Sequence, residues 1–145
     1  MNIIAKYKIL PDLRLIIEVF CGNISFEDAI EMKKREIQDK DYNPNFNFIV
    51  STVDVDISFD EKLVRKYIDI IKDNPKIIGK RRSALITATP TQVAMTILYE
   101  LALKDLPMNF KIVSTLQAAI EWVGLSKVHE SVIIENIELL KNSTN

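Results

Sequence analysis

Asp54, Asp56, Ser58, Asp60 and Glu61 crowd one short stretch, FNFIVSTVDVDISFDE at 46–61. Carboxylates so placed can hold a divalent cation or accept a phosphoryl group, and a serine ahead of a helix meets free backbone N–H groups and the favourable end of the helix dipole. In a phosphoacceptor site Thr87 or Thr89 would supply the helper hydroxyl and Lys111 the lysine. Such a site also needs an acidic pair after its first parallel strand to hold magnesium, and that place reads Cys21-Gly22-Asn23. Receiver chemistry is therefore excluded, and carboxylates at a strand end are ordinarily solvated. Ser58 keeps two readings: a phosphorylation switch, or the N-cap of a helix whose capping box Glu61 completes.

Other reactive residue types are sparse. Cys21 falls at a strand end shortly before a helix, where a thiol pKa can drop, yet no base accompanies it. The single histidine, His129, falls on a C-terminal helix and reads as a solvated surface residue. Lys80-Arg81-Arg82 could bind an anionic partner or headgroup, but three basic residues before a strand are more often a solvated entry, and without interleaved aromatics the run is no nucleic-acid platform. Three glycines in the whole chain leave little means of cradling a phosphate chain in backbone N–H groups. No histidine pair, glycine-rich loop or nucleophile elbow occurs, so no cofactor, no metal and no enzymatic activity is expected.

These residues must be positioned by a layered α/β arrangement. Residues 2–10 alternate as a strand, Pro11-Asp12 turns the chain, and 13–21 returns as the second arm of a hairpin. Ser25-Phe26-Glu27-Asp28 caps a first helix running to about Gln38, with Phe26, Ala29, Ile30 and Ile37 on its buried side. The strand from Phe46 follows, and then a second helix striped by Leu63, Val64, Tyr67, Ile68 and Ile71. SALITA at 83–88 gives a fourth strand, and Thr89-Pro90 opens a third helix that keeps Gln92, Thr96 and Tyr99 on a polar side and is otherwise nearly all apolar. A fifth strand (110–114), a short fourth helix capped by Ser114 and ended at Gly124, and a last helix from Ser126 to about Lys141 complete the chain. The order β-β-α-β-α-β-α-β-α-α predicts one mostly parallel five-stranded mixed sheet, led by an antiparallel hairpin and covered by four helices, plus an extra C-terminal helix.

Composition agrees with one such unit. Hydrophobic residues make up 48% and charged residues 27%, which excludes disorder and leaves a core to bury. Nineteen basic against twenty acidic residues give a net charge of −1, so no field draws nucleic acid or an anionic membrane. A lone cysteine excludes an intrachain disulfide framework, and no window approaches a spanning helix; a cytoplasmic, soluble protein is the expectation.

The hairpin, the helix behind Ser25-x-x-Asp28, the aspartate-ended central strand and the run Ala118-Ala119-Ile120-Glu121-Trp122 together resemble the SpoIIAA-like, or STAS-type, family over about residues 3–124. In sporulation regulators of that family a serine in an Asp-Ser-Ser-Gly motif, after the central strand, is phosphorylated by a partner kinase and switches partner binding. Asp56-Ile57-Ser58-Phe59 occupies that place, with Asp56 and Ser58 matching and Ile57 and Phe59 departing from the motif. The resemblance implies a non-enzymatic binding or regulatory module acting through Asp56 and Ser58 on a protein partner. Similarity of plan to the lipid-carrying CRAL-TRIO fold implies a rival: a carrier of a small apolar or lipid-like ligand between helices and sheet. The division expected is a domain at 1–124 and a helical extension at 125–145, packed on the domain or, through residues 126–141, on a second copy in a homodimer.

Overall fold

Five strands lie in the order β1-β2-β3-β4-β5, the same as their order in the chain. The structure, a computed structural model, describes residues 3–56 and 61–142. β1 (Ile4–Leu10) and β2 (Leu15–Gly22) pair antiparallel, while β3 (Asn47–Val55), β4 (Arg81–Ile86) and β5 (Met108–Val113) add on parallel. Three successive crossovers moving one way across the sheet, all of the right-handed kind, put their helices on a single face. Those helices are α1 (Phe26–Gln38), α2 (Glu61–Asp73) and α3 (Pro90–Ala102), with α2 packed on both α1 and α3. The opposite face must be covered by the chain beyond β5. There α4 (Leu116–Trp122) lies on β4 and β5, and α5 (Glu130–Asn142) lies on β1 and β2. Among the described residues no helix is long and apolar enough to cross a membrane.

Local chemistry explains the element ends. Ser25 and Thr89 each close a full capping box, with Asp28 and Gln92 returning to the cap's own N–H. Thr115, not Ser114, caps α4: its hydroxyl accepts from Ala118 N–H. Gly124, at φ +76°, ends that helix in a left-handed turn closed by Leu125 N–H to the Ile120 carbonyl. Beyond Pro11 the chain makes a single 3-10 turn and reverses through Arg14 at φ 50°. Another 3-10 turn, Lys127–His129, precedes α5. Two strands begin earlier than expected, β4 at Arg81 and β5 at Met108, because the ladder between them already pairs Arg81 with Met108 and Arg82 with Asn109.

Alternation along the strands sorts residues between two unlike layers. Leu15, Ile17, Val19, Ile49, Ala84 and Ile86 pack with Ile133 and Ile137 of α5 and with α4 in a continuous aliphatic core. Their neighbours Ile16, Phe48, Val50 and Leu85 face α1–α3, and the far ends of α2 and α3 close around Ile71, Ile77 and Leu103. Val128 and Leu139 on the α5 side, and Ile97 and Leu101 of α3, remain exposed. In α3 the polar residues Gln92 and Thr96 are the buried ones, the reverse of what its composition suggests.

Gln92 explains that reversal. β3 carries one extra residue between the pairs Val19–Ser51 and Cys21–Asp54, and its pairing with β4 stops at Ser51–Ile86. The Gln92 amide fills the resulting gap. Its Nε2 donates to the carbonyls of Val53 and Val55, and its Oε1 accepts from the N–H groups of Ala88 and Thr89. A buried side chain so placed has its polar capacity satisfied and fixes α3 against the end of β3.

Candidate functional site

The α1–α3 face is where the chemistry collects. Glu18 stands in the middle of β2, between Ile17 and Val19, and points to the helices because its neighbours point to the aliphatic core. Lys33 and Glu36, one turn apart on α1, come down to meet it. Lys33 Nζ donates to Glu18 Oε2 at 2.6 Å and to Glu36 Oε1 at 2.8 Å, and all three side chains are buried.

Protonation follows from that crowding. Burial by itself would depress the Lys33 ammonium, but Glu18 and Glu36 together hold it well above the usual lysine range. Burial also pushes Glu18 up, yet Lys33 and hydrogen bonds from Glu36 and Lys33 bring it below the ordinary carboxylate value. Glu36 goes the other way: burial first, then the Glu18 charge, raise its carboxyl well above the ordinary range. Its Oε2 has no partner as an acceptor. A protonated Glu36 is a donor to Glu18, which relieves the repulsion between the two buried carboxyls.

Arg81, the first residue of β4, is 6% exposed and lies beside this triad. Its Nη1 donates to the Pro44 carbonyl at 2.8 Å and to the Ile77 carbonyl at 2.7 Å. The guanidinium carbon sits 4.5 Å from the centre of the Phe48 ring, which Lys33 Nζ also approaches at 5.1 Å. The 43–47 segment builds this corner: Asn45 and Asn47 side chains accept from the N–H groups of Lys80 and Arg82. Gly79 permits the approach, since a Cβ there would lie 2.1 Å from the Pro44 oxygen.

Above these charges is a cavity of about 230 Å³ between α1, α2, α3 and the sheet. Its floor contains Glu18, Lys33 and Arg81; Phe48, Val50 and Leu85 line the sheet side and Phe26, Leu63, Tyr67 and Met95 the helix side. Burial pushes the Tyr67 hydroxyl far above the usual tyrosine range and Tyr99 up to about 12, so both stay neutral. The arrangement is an apolar chamber with a charged end, and it can enclose a small amphiphilic molecule. A second cleft, lined by Ser51, Ile86, Ile134 and Lys141 on the other face, has no buried charge beside it.

The residues singled out by sequence lie elsewhere. Ser58 and Asp60 are outside the described residues. Asp56 is exposed, its N–H bonded to the Gly22 carbonyl. Asp54 pairs with Lys141 of α5 at 3.0 Å. Thr87 is buried, Thr89 caps α3 and Lys111 rests over Trp122, so the would-be phosphoacceptor set is dispersed. Among the described residues no group of three or more His, Cys, Asp and Glu side chains is placed to hold a metal. Cys21 is buried in the aliphatic core, where burial and then Asp54 push its thiol up. His129 is half-buried in the 3-10 turn before α5. The basic run divides: Lys80 is exposed, Arg82 stacks on Trp122, and Arg81, expected in solvent, is buried because odd-numbered residues of β4 face the helices.

Glu18, Lys33, Glu36 and Arg81 carry the site; the sequence reading passed over the first three and took Arg81 as part of a solvated basic run. Two signals were readable: Glu18 interrupts the apolar run LIIEVF, and Lys33 falls on the stripe that Phe26, Ala29, Ile30 and Ile37 define.

One solved structure is similar over most of the chain: an uncharacterised protein of the DUF3478 family with a SpoIIAA-like fold, from Shewanella loihica PV-4. It shares 17% identity and a TM-score of 0.58, covering 84% of this chain and 94% of that one. The chain has a SpoIIAA-like fold. This agrees with the resemblance read from its hairpin and element order, and with the mixed five-stranded sheet. No protein-family model and no curated protein matches the chain.

Proposed function

We propose that this SpoIIAA-like chain is a non-enzymatic binding module whose ligand is a small, largely apolar molecule held between α1–α3 and the sheet. The observation that carries this reading is the cavity of about 230 Å³, walled by aromatic and aliphatic side chains and floored by buried charge. A cavity of about 150 Å³ lined by such residues takes up benzene, which scales to roughly nine non-hydrogen atoms here. Catalysis finds little support in the chamber. Lys33 and Glu18 are locked to each other, and Cys21 lies on the other face of the sheet. Partner contact through Asp56 and Ser58 is carried by the family resemblance alone, so the cavity is the stronger basis.

Native mass spectrometry of protein purified without detergent tests the reading. A single small-molecule adduct is expected on the wild-type chain, absent from a folded Val50→Phe variant whose added ring fills the chamber. A bare wild-type mass that also takes up no added 1-octanol would overturn it.

A further inference from the structure

Resting on that reading, we infer that the ligand is an apolar carboxylic acid whose carboxylate binds the free edge of the Arg81 guanidinium, with its hydrocarbon part in the chamber above.

The buried charges on this face are unevenly paired. Lys33 has its counter-ion, Glu18, at 2.6 Å. Arg81 has none: among the described residues no carboxylate lies within ion-pair distance of it, although it is 6% exposed. Both hydrogen bonds it makes leave from Nη1 and go to neutral carbonyls, while its Nε is buried with no acceptor at all. Buried cations in proteins are paired, because taking a charge out of water without an opposite one is costly. Arginine would meet such an anion through a fork of two parallel N–H donors, and the Nε side of this guanidinium is the part left for it.

Place and charge set the class of ligand. Arg81 lines the cavity, and so does the Phe48 ring on which it rests. The carboxyls already on this face, Glu18 on the floor and Glu36 behind it, are both taken up by Lys33 and not by Arg81. One unmatched cation calls for one negative charge. A doubly charged phosphate would crowd more negative charge beside Glu18, whereas a carboxylate brings a single charge and fits the guanidinium bidentately. The remaining walls offer aromatic and aliphatic surface, so the rest of the molecule is hydrocarbon.

Octanoate and 1-octanol separate this inference from the reading beneath it, since they share a chain and differ in the charged end. Binding of each to the full chain is measured by calorimetry at pH 7. Octanoate is expected to bind at least tenfold tighter than 1-octanol, and the preference should fall below about threefold in Arg81→Gln while 1-octanol affinity is retained. If Arg81→Gln does not fold, the Arg81 Nε–H resonance of the wild-type protein serves instead. It should move on adding octanoate and stay in place with 1-octanol. Equal binding of the two probes, or an unmoved Nε–H, overturns the acid and leaves the apolar reading standing. Uptake of neither probe overturns both.

Discussion

The two faces of the sheet are made from the same strands and are built on opposite terms. Toward α4 and α5, Ile17, Val19, Ile49, Ala84 and Ile133 interlock with no charged residue among them. Toward α1–α3, alternate residues of the same strands are Glu18, Thr52, Arg81 and Ser83, joined by Lys33 and Glu36, around a hollow. Close-packed aliphatic surface is what stability asks for, at roughly 25 cal/mol for each Å² buried. Buried ion pairs are not, since well-packed hydrophobic residues commonly replace them without loss. One face thus holds the fold together, and the other buries charge beside the chamber proposed to take a ligand.

The largest test of that division removes the cover of the aliphatic face. A chain ending at Leu125 lacks α5 and bares Ile17 and Val19, and it should fail to fold, giving no cooperative thermal transition. A cooperative monomer at that length would show that α5 is dispensable. Next comes Lys33→Met on the charged face, which leaves Glu18 buried without its cation and should cost about 3–5 kcal/mol in urea denaturation. A cost under about 1 kcal/mol would mean that the triad is not dry.

Replacing the triad together, as Glu18→Leu, Lys33→Met and Glu36→Leu, should instead leave stability unchanged or raise it by about 1–4 kcal/mol. A loss like that of Lys33→Met alone would return the triad to a structural role. The smallest effect belongs to Glu36→Gln, whose amide can still accept from Lys33 and donate to Glu18. The folded carboxyl of Glu36 sits above its ordinary value of 4.5. Its contribution to stability is therefore full below about pH 4.5 and declines as pH rises toward the folded value. Glu18 runs oppositely, contributing above pH 4.5 and losing that contribution as pH falls. Between pH 5 and 8 the wild-type chain should lose stability that Glu36→Gln retains; parallel pH profiles would show Glu36 ionised at neutral pH.

Much of the aliphatic face was legible in the sequence, and little of the charged one. Capping boxes at Ser25 and Thr89, the glycine stop at 124 and the alternation of β1 and β2 are local signals, and they place the elements within a residue or two. The strand order, with three helices on one side, follows from the hairpin and the handedness of crossovers. Lys33 and Glu36 were not legible as a site. On a helix, charged residues beside an apolar stripe ordinarily face water, and only the glutamate across the gap on β2 turns them inward. Arg81 was hidden between two exposed neighbours until the register Arg81–Met108 fixed its face. The polar side of α3 faced inward for a similar reason, because the bulge in β3 leaves carbonyls that only Gln92 reaches.

Whether the hollow face binds while the aliphatic face does not is most directly read from methyl resonances during a titration with 1-octanol. Shifts confined to Val50, Leu63, Val64 and Leu85, with Ile17, Ile49 and Ile133 unmoved, are the predicted result. Shifts centred on the aliphatic core, or none at saturating probe, would contradict it.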